Sequence, residues 1–134
     1  MAIYVTRNGA SRVVTRTQKG DPGISGVLPM IDVLDDATLL VKTAHRIMDT
    51  DLAILSLPWA TAAIGDPIEV FGYGLGGFKI PVPAGKVIHL LGFSNSTLTD
   101  GTDYIASEHQ FSFVRLRCIA ANEFVAEMYD CSTK

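Results

Sequence analysis

The sequence FSFVRLRC at residues 111–118 alternates between two sets of side chains. One set holds Phe111, Phe113, Arg115 and Arg117, and the other holds Ser112, Val114, Leu116 and Cys118. A period of two predicts a β-strand with one buried face, which we place at Gln110–Ile119. The next residues, Ala120-Ala121-Asn122, predict a tight connection to a further strand at Glu123–Tyr129.

Outward from this pair, the chain consists of short apolar runs separated by glycine, proline, asparagine and aspartate. No helical period is sustained over ten residues, although Asp35–His45 could form a turn or a short helix. The predicted strands are Thr38–Thr43, Arg46–Met48, Leu52–Leu57, Pro67–Tyr73, Gly77–Val82 and Lys86–Leu90. Many short strands predict an all-β fold, an antiparallel β-sandwich or barrel-like knob formed by residues 27–134.

Two segments precede this body. Residues 1–18 are predicted to form a short N-terminal arm, with β-rich runs at Ile3–Thr6 and Val13–Thr17 and an Asn8-Gly9 turn signal between them. Because an isolated hairpin is marginally stable in water, this arm needs a partner surface or adds to another sheet. Residues 19–26 carry glycine at every third position, which fits either a plain linker or a point where three identical chains align.

The distribution of charge also separates the N-terminal segment from the body. The 134 residues carry a net charge of −3, yet residues 1–20 hold four basic residues and no acidic residue. A basic arm on an acidic body predicts separate roles for the two parts. Four cations and one tyrosine are a weak footprint for nucleic acid, and no apolar run approaches the ~20 residues of a membrane span. We therefore predict no nucleic-acid partner, no membrane insertion and, without a recognisable secretory signal, synthesis in the cytoplasm.

An ordered series of short motifs runs through the body. It consists of LP at 57–58, GDPIEV at 65–70, GYGLGGFKI at 72–80, AGKVIH at 84–89, VRLRC at 114–118 and AANEF at 120–124. The series resembles a β-domain of bacteriophage tail fibres and related virion fibre proteins, over about residues 50–130. Phe78 stands where that family often has tryptophan, and Pro81 and Pro83 stand where polar residues are usual.

The resemblance implies a structural virion protein that carries no catalysis: a homotrimeric tail fibre or adhesin whose body meets the host cell surface. The arm would attach to other virion proteins of the tail or baseplate, with Tyr4, Arg7, Arg12 and Arg16 as candidate anchoring residues. The alternative is a capsid decoration or head-fibre protein, attached to the capsid through the same arm.

The segment Gly92–Ser107 is the best candidate for receptor binding, because it combines polar loop residues with two aromatic rings. The candidate residues for a host cell-surface glycan or protein are Phe93, Asn95, Thr97, Asp103 and Tyr104. An ordinary solvated loop is the alternative interpretation. Trp59 is a second candidate, although a single tryptophan is more often a core or interface residue.

Other chemistries lack the required spacing. The glycine-rich run at 72–77 has β-like residues on both sides, so it predicts a bulged hairpin with positive φ rather than a phosphate-binding loop. The carboxylate pairs Asp35-Asp36 and Asp49 with Asp51 are interpreted as solvated turn caps rather than a glycosidase pair. We predict no enzyme.

Metal and disulfide chemistry is equally unsupported. His45, His89 and His109 have no second ligand at metal spacing, and Cys118 and Cys131 form no zinc pattern. His89 is interpreted as a core or subunit-contact residue, with an ion at a trimer axis as the alternative. The two cysteines are interpreted as small apolar residues, although a disulfide remains open. We predict no metal and no cofactor.

Overall fold

The computed structural model describes residues 27–91, 97–99 and 101–133. Within them lie twelve strands and no helix. The strands are β1 Met30–Val33, β2 Ala37–Thr38, β3 Thr43–Ile47, β4 Ala53–Ser56, β5 Pro67–Gly72, β6 Phe78–Pro81, β7 Val87–Leu90, β8 Thr97–Leu98, β9 Tyr104–Ser107, β10 Phe113–Ala120, β11 Glu123–Tyr129 and β12 Cys131–Thr133. The predicted arm, residues 1–18, and linker, residues 19–26, lie outside the described part.

The strands form two sheets. The larger has seven strands in the order β1-β3-β5-β10-β11-β7-β8, and the smaller has five in the order β12-β9-β6-β4-β2. One hydrophobic cluster joins them, with Ile68 and Leu116 from the larger sheet and Leu55 and Ile80 from the smaller. The predicted all-β sandwich is confirmed.

The pairing is mixed rather than antiparallel throughout, which corrects the sequence prediction in this respect. Five of the ten pairings between described strands are parallel: β1 with β3, β3 with β5, β2 with β4, β4 with β6, and β7 with β11. The cause is the path of the chain, because strands from β1 to β7 alternate between the two sheets. In four of the five pairings, strands two apart therefore become neighbours and run in the same direction, and each crossover includes a strand of the opposite sheet; the fifth joins β7 to β11.

Alternation in β10 places its side chains as predicted. Val114, Leu116 and Cys118 are buried, whereas Arg115 and Arg117 are exposed. The strand pairs antiparallel with β5 on one side and β11 on the other. Its predicted tight connection to β11 is also confirmed, since Ala121 and Asn122 form the turn and Asn122 adopts a φ of 62°. Asparagine tolerates this left-handed conformation better than most residues.

The glycine-rich run does not form the predicted hairpin, because β5 and β6 belong to different sheets. It instead forms a corner packed against the loop after β3. A Cβ atom at Gly74 would overlap the backbone of Met48 and Asp49, and one at Gly76 would overlap the backbone of Asp51. Only Gly77, with a φ of 75°, shows the positive φ that the sequence predicts for this run.

The predicted strand boundaries are wrong where a turn interrupts an apolar run. The predicted strand Thr38–Thr43 breaks after Thr38, because the chain turns at Lys42, which has a φ of 57°. The short helix considered at Asp35–His45 does not form. Four short strands were not predicted, namely β1, β8, β9 and β12. Each has at most four residues.

The packing of this corner predicts that adding a methyl group destabilises the protein more at Gly76 than at Gly72. Gly76→Ala should lower the free energy of unfolding by about 2 kcal/mol or more, since its Cβ must displace the Asp51 backbone. Gly72→Ala is the matched control, because its Cβ would lie 3.4 Å from the nearest atoms. Urea denaturation of both variants checks this, and equal stability losses would contradict the packing described here.

Candidate functional site

Three aromatic side chains stack in a row across the outer face of the larger sheet. Phe71 on β5, Phe113 on β10 and Tyr129 on β11 occupy one register position. The ring centroids of Phe71 and Phe113 lie 4.6 Å apart, and those of Phe113 and Tyr129 lie 5.6 Å apart. Tyr129 is 53% exposed. We call these three residues the aromatic row.

A row of charges lies beside the aromatic row, two residues further along the same strands. Arg115 on β10 stands between Glu69 on β5 and Glu127 on β11. Its Nε lies 3.4 Å from Glu69 Oε2 and its terminal nitrogen lies 3.4 Å from Glu127 Oε1. The Arg115 guanidinium also lies 5.6 Å from the centre of the Phe113 ring. We call Glu69, Arg115 and Glu127 the charge row.

The aromatic surface continues past the end of β5. Tyr73 and Phe111 meet edge to face with centroids 6.0 Å apart, and Phe111 is 63% exposed. The Arg46 guanidinium lies 5.2 Å from the centre of the Tyr73 ring and is held by Asp32, whose Oδ1 lies 2.7 Å from Arg46 Nε. This ion pair lowers the pKa of Asp32 through the hydrogen bond from Arg46.

A strip of partly exposed rings beside paired charges forms a surface suited to binding. Aromatic residues and arginine are enriched where proteins bind partners, since they bury much area at a small cost in side-chain entropy. The carboxylates of the charge row are paired with an arginine. The charge row therefore forms a polar rim, held by ion pairs, beside the apolar strip of the aromatic row.

The structure divides the described receptor-binding candidates between two faces. Thr97, on β8, lies on the outer face of the larger sheet, with its hydroxyl 3.4 Å from His89 Nδ1. Tyr104 lies on β9 of the smaller sheet, where the Lys79 ammonium sits 4.1 Å above its ring. Asp103 accepts a hydrogen bond of 2.7 Å from the backbone of Thr99 and so orders its own loop. These three residues do not form one cluster.

Other candidates fall outside the described residues. They comprise the receptor-binding residues Phe93 and Asn95 and the anchoring residues Tyr4, Arg7, Arg12 and Arg16. Trp59 is described, and it packs partly buried against the core with its ring edge to face with Phe124, 5.1 Å away. This contact matches the interpretation of Trp59 as a core residue.

The predicted turn caps are confirmed for the carboxylates examined as a possible glycosidase pair. Asp35 accepts from the backbone of Asp36, and Asp49 accepts from the backbone of Asp51. Asp36 accepts a bond of 2.8 Å from the Ile54 backbone and thereby ties the turn after β1 to β4.

Thiols and histidines occupy ordinary structural positions. Cys118 and Cys131 are both free, and burial raises the pKa of Cys131 to about 11. His89 lies on the outer face, with Nε2 3.2 Å from Glu123 Oε1. Among the described residues, no three His, Cys, Asp or Glu side chains group closely enough to hold a metal ion, and no helix is long and apolar enough to cross a membrane.

No protein-family profile matches the chain, and no curated protein matches it.

The aromatic row is the feature that sequence reasoning missed. The alternation of β10 did put Phe113 and the arginines on one face. It could not show that Phe71 and Tyr129 are the register partners of Phe113, because that depends on how β5 and β11 pair with β10. The available signal was an aromatic residue at the outward position of three predicted strands.

His45 is the buried histidine of the described part, and its hydrogen bonds define its tautomer. Nε2 accepts from the Leu40 backbone N–H at 2.9 Å, so Nδ1 carries the proton and donates to the Glu69 carbonyl at 3.0 Å. Burial lowers the pKa of His45 below 6.5, because the charged form loses solvation.

This tautomer predicts how stability depends on pH. In the unfolded chain, His45 binds a proton near pH 6.5, whereas in the folded protein it binds that proton only at lower pH. Because the unfolded state therefore binds more protons in this range, the free energy of unfolding should fall as pH drops below about 6.5. His45→Gln should reduce this dependence, and the exposed-histidine control His89→Gln should keep it. Chemical denaturation at about pH 7.5 and pH 5.5 checks the slope. An unchanged slope in His45→Gln would contradict the assignment.

Proposed function

We propose that this chain is a structural subunit of a homotrimeric phage tail fibre, and that its body binds the host cell surface. The protein would reside in the virion after synthesis in the host cytoplasm. Its arm would contact other virion proteins of the tail or baseplate. The proposal assigns no catalysis and no cofactor.

The observation that carries the proposal is the aromatic row with its charge row. Phe71, Phe113 and Tyr129 lie on the outer face of the sheet, opposite the inward residues of β5, β10 and β11 that form the core. Phe71 and Phe113 are half-buried, whereas Tyr129 and the neighbouring Phe111 and Tyr73 are exposed, and exposed apolar patches mark interaction sites. The outward edges of these stacked rings, beside an arginine paired with two carboxylates, suit a receptor that offers both apolar C–H groups and hydroxyl groups. A cell-surface glycan has this chemistry.

The resemblance of residues 50–130 to virion fibre domains supports the same proposal, and so does the all-β sandwich. Three copies in one trimer would present three such surfaces. Weak binding at each surface would add up to strong attachment, since linked sites raise the effective concentration of the later contacts.

A second candidate is a capsid decoration or head-fibre protein, favoured by the distribution of charge. Residues 1–20 carry four basic and no acidic residues, whereas the remaining residues carry seven basic and fourteen acidic ones. A basic segment ahead of an acidic body suits attachment to an acidic capsid surface. Immunogold labelling of virions with an antibody to the body separates the two candidates, since label on the tail supports the fibre and label on the head supports the decoration protein.

The proposed assembly predicts the mass of the purified full chain. Light scattering after size exclusion should give about three times the chain mass of 14.4 kDa. Multivalent attachment depends on this result, because a single copy offers a single surface. A monomer at all concentrations tested would contradict the trimeric fibre.

The aromatic row predicts the effect of removing one ring. Tyr129→Ala should weaken binding of the full chain to host cells about tenfold, since removing an aromatic anchor from a binding surface typically costs over 1 kcal/mol. The matched control is Ile64→Ala, which also removes an exposed apolar side chain but lies near the other end of β10.

Pull-down of fluorescent protein by host cells measures this binding, with circular dichroism to verify folding. Unchanged binding by the folded Tyr129→Ala protein would contradict the proposed surface. So would an equal loss in the Ile64→Ala control.

A further inference from the structure

Strand β1 forms an open edge of the larger sheet. In the described part of the chain, β3 is its one neighbour. The carbonyl oxygens of Pro29 and Val33 accept hydrogen bonds of 2.8 Å from the β3 side, from Ala44 and Met48. Alternate residues of a strand point their backbone groups in opposite directions. The N–H and C=O groups of Met30 and Asp32 therefore face the open edge.

Apolar side chains on both faces of β1 are uncovered. Ile31 lies on the inner face, towards the core, yet it is 39% exposed. At the other edge of the same sheet, the inward residue Leu98 of β8 is only 6% exposed. Met30 on the outer face is 51% exposed, and Leu34 just beyond the strand is 73% exposed. An edge with unpaired backbone groups and exposed apolar residues is a template for a further strand.

The charge near this edge is negative. Asp32 lies on β1 and is paired with Arg46, and Asp35 and Asp36 add two further negative charges in the next turn. The segment that leads into β1 has the opposite charge, with four basic residues and no acidic residue in residues 1–20. It also contains the β-rich run Val13–Thr17, which includes the cation Arg16.

We propose that residues 13–17 of the same chain add to the open edge of β1 as an antiparallel strand. Val13 and Thr15 would then cover Ile31 on the inner face, and Val14 and Arg16 would lie on the outer face with Asp32. Twelve residues, 18–29, separate the two strands, which is longer than a usual hairpin loop of about 2–5 residues but long enough to let the two strands pair. A segment tethered this closely has a high effective concentration at the edge, which favours it over the arm of a second copy.

The proposal is independent of the virion role. It rests on the edge, its exposed residues and its charge, whatever the body binds. It also divides the arm, because Val13–Thr17 would bind the body while Tyr4 and Arg7 stay available for another protein.

Amide hydrogen exchange of the full chain, followed by NMR, tests the added strand. The amides of Met30 and Asp32 should be protected. Thr15→Pro should speed their exchange about tenfold or more, since proline cannot continue a strand pairing, while amides of β10 stay unchanged. Ala10→Pro is the matched control, because it places a proline in the arm outside the proposed strand and should leave the protection intact.

Three results would overturn the proposal. The first is exchange of Met30 and Asp32 at unprotected rates in the full chain. The second is protection that Thr15→Pro leaves unchanged, which would assign the edge to another surface. The third is protection that disappears on dilution, which would assign the added strand to a second copy. None of these results bears on host binding by the aromatic row.

Discussion

The alternation of β10 is the constraint on which the rest of the structure depends. Its inward residues Val114 and Leu116 are fully buried between the sheets, and burying each such side chain contributes roughly 1.5–3 kcal/mol. A slip of one residue would move them to solvent and bring Arg115 into the core. Because β10 pairs with β5 and β11 at once, fixing its register also fixes which outward residues of all three strands stand side by side.

The inner face of these strands therefore serves folding, and their outer face carries the proposed binding surface. The inward side chains hold the sandwich together, while the outward ones form the aromatic row and the charge row. The rings contact one another at 4.6 and 5.6 Å and therefore need no loop to position them. A surface built on paired strands is held more rigidly than one built on a loop, which lowers the entropy lost on binding.

Local patterns in the sequence predicted the all-β class, the alternation of β10 and the turn at Asn122, because each depends on neighbouring residues. The parallel pairings could not be predicted, since they arise from a chain path that alternates between two sheets over long separations. The corner glycines show the same limit. Gly74 and Gly76 are needed because the Met48–Asp51 backbone lies against them, a contact that no local pattern encodes. The aromatic row was missed for the same reason.

The most direct test of the aromatic row is NMR mapping of the full chain during titration with purified host surface polysaccharide. Chemical shifts should change first at Phe71, Phe113 and Tyr129 and at the neighbouring Arg115, with little change at Tyr104 on the opposite sheet. Changes confined to Tyr104 and its neighbours, with the aromatic row unaffected at saturation, would contradict binding at the aromatic row.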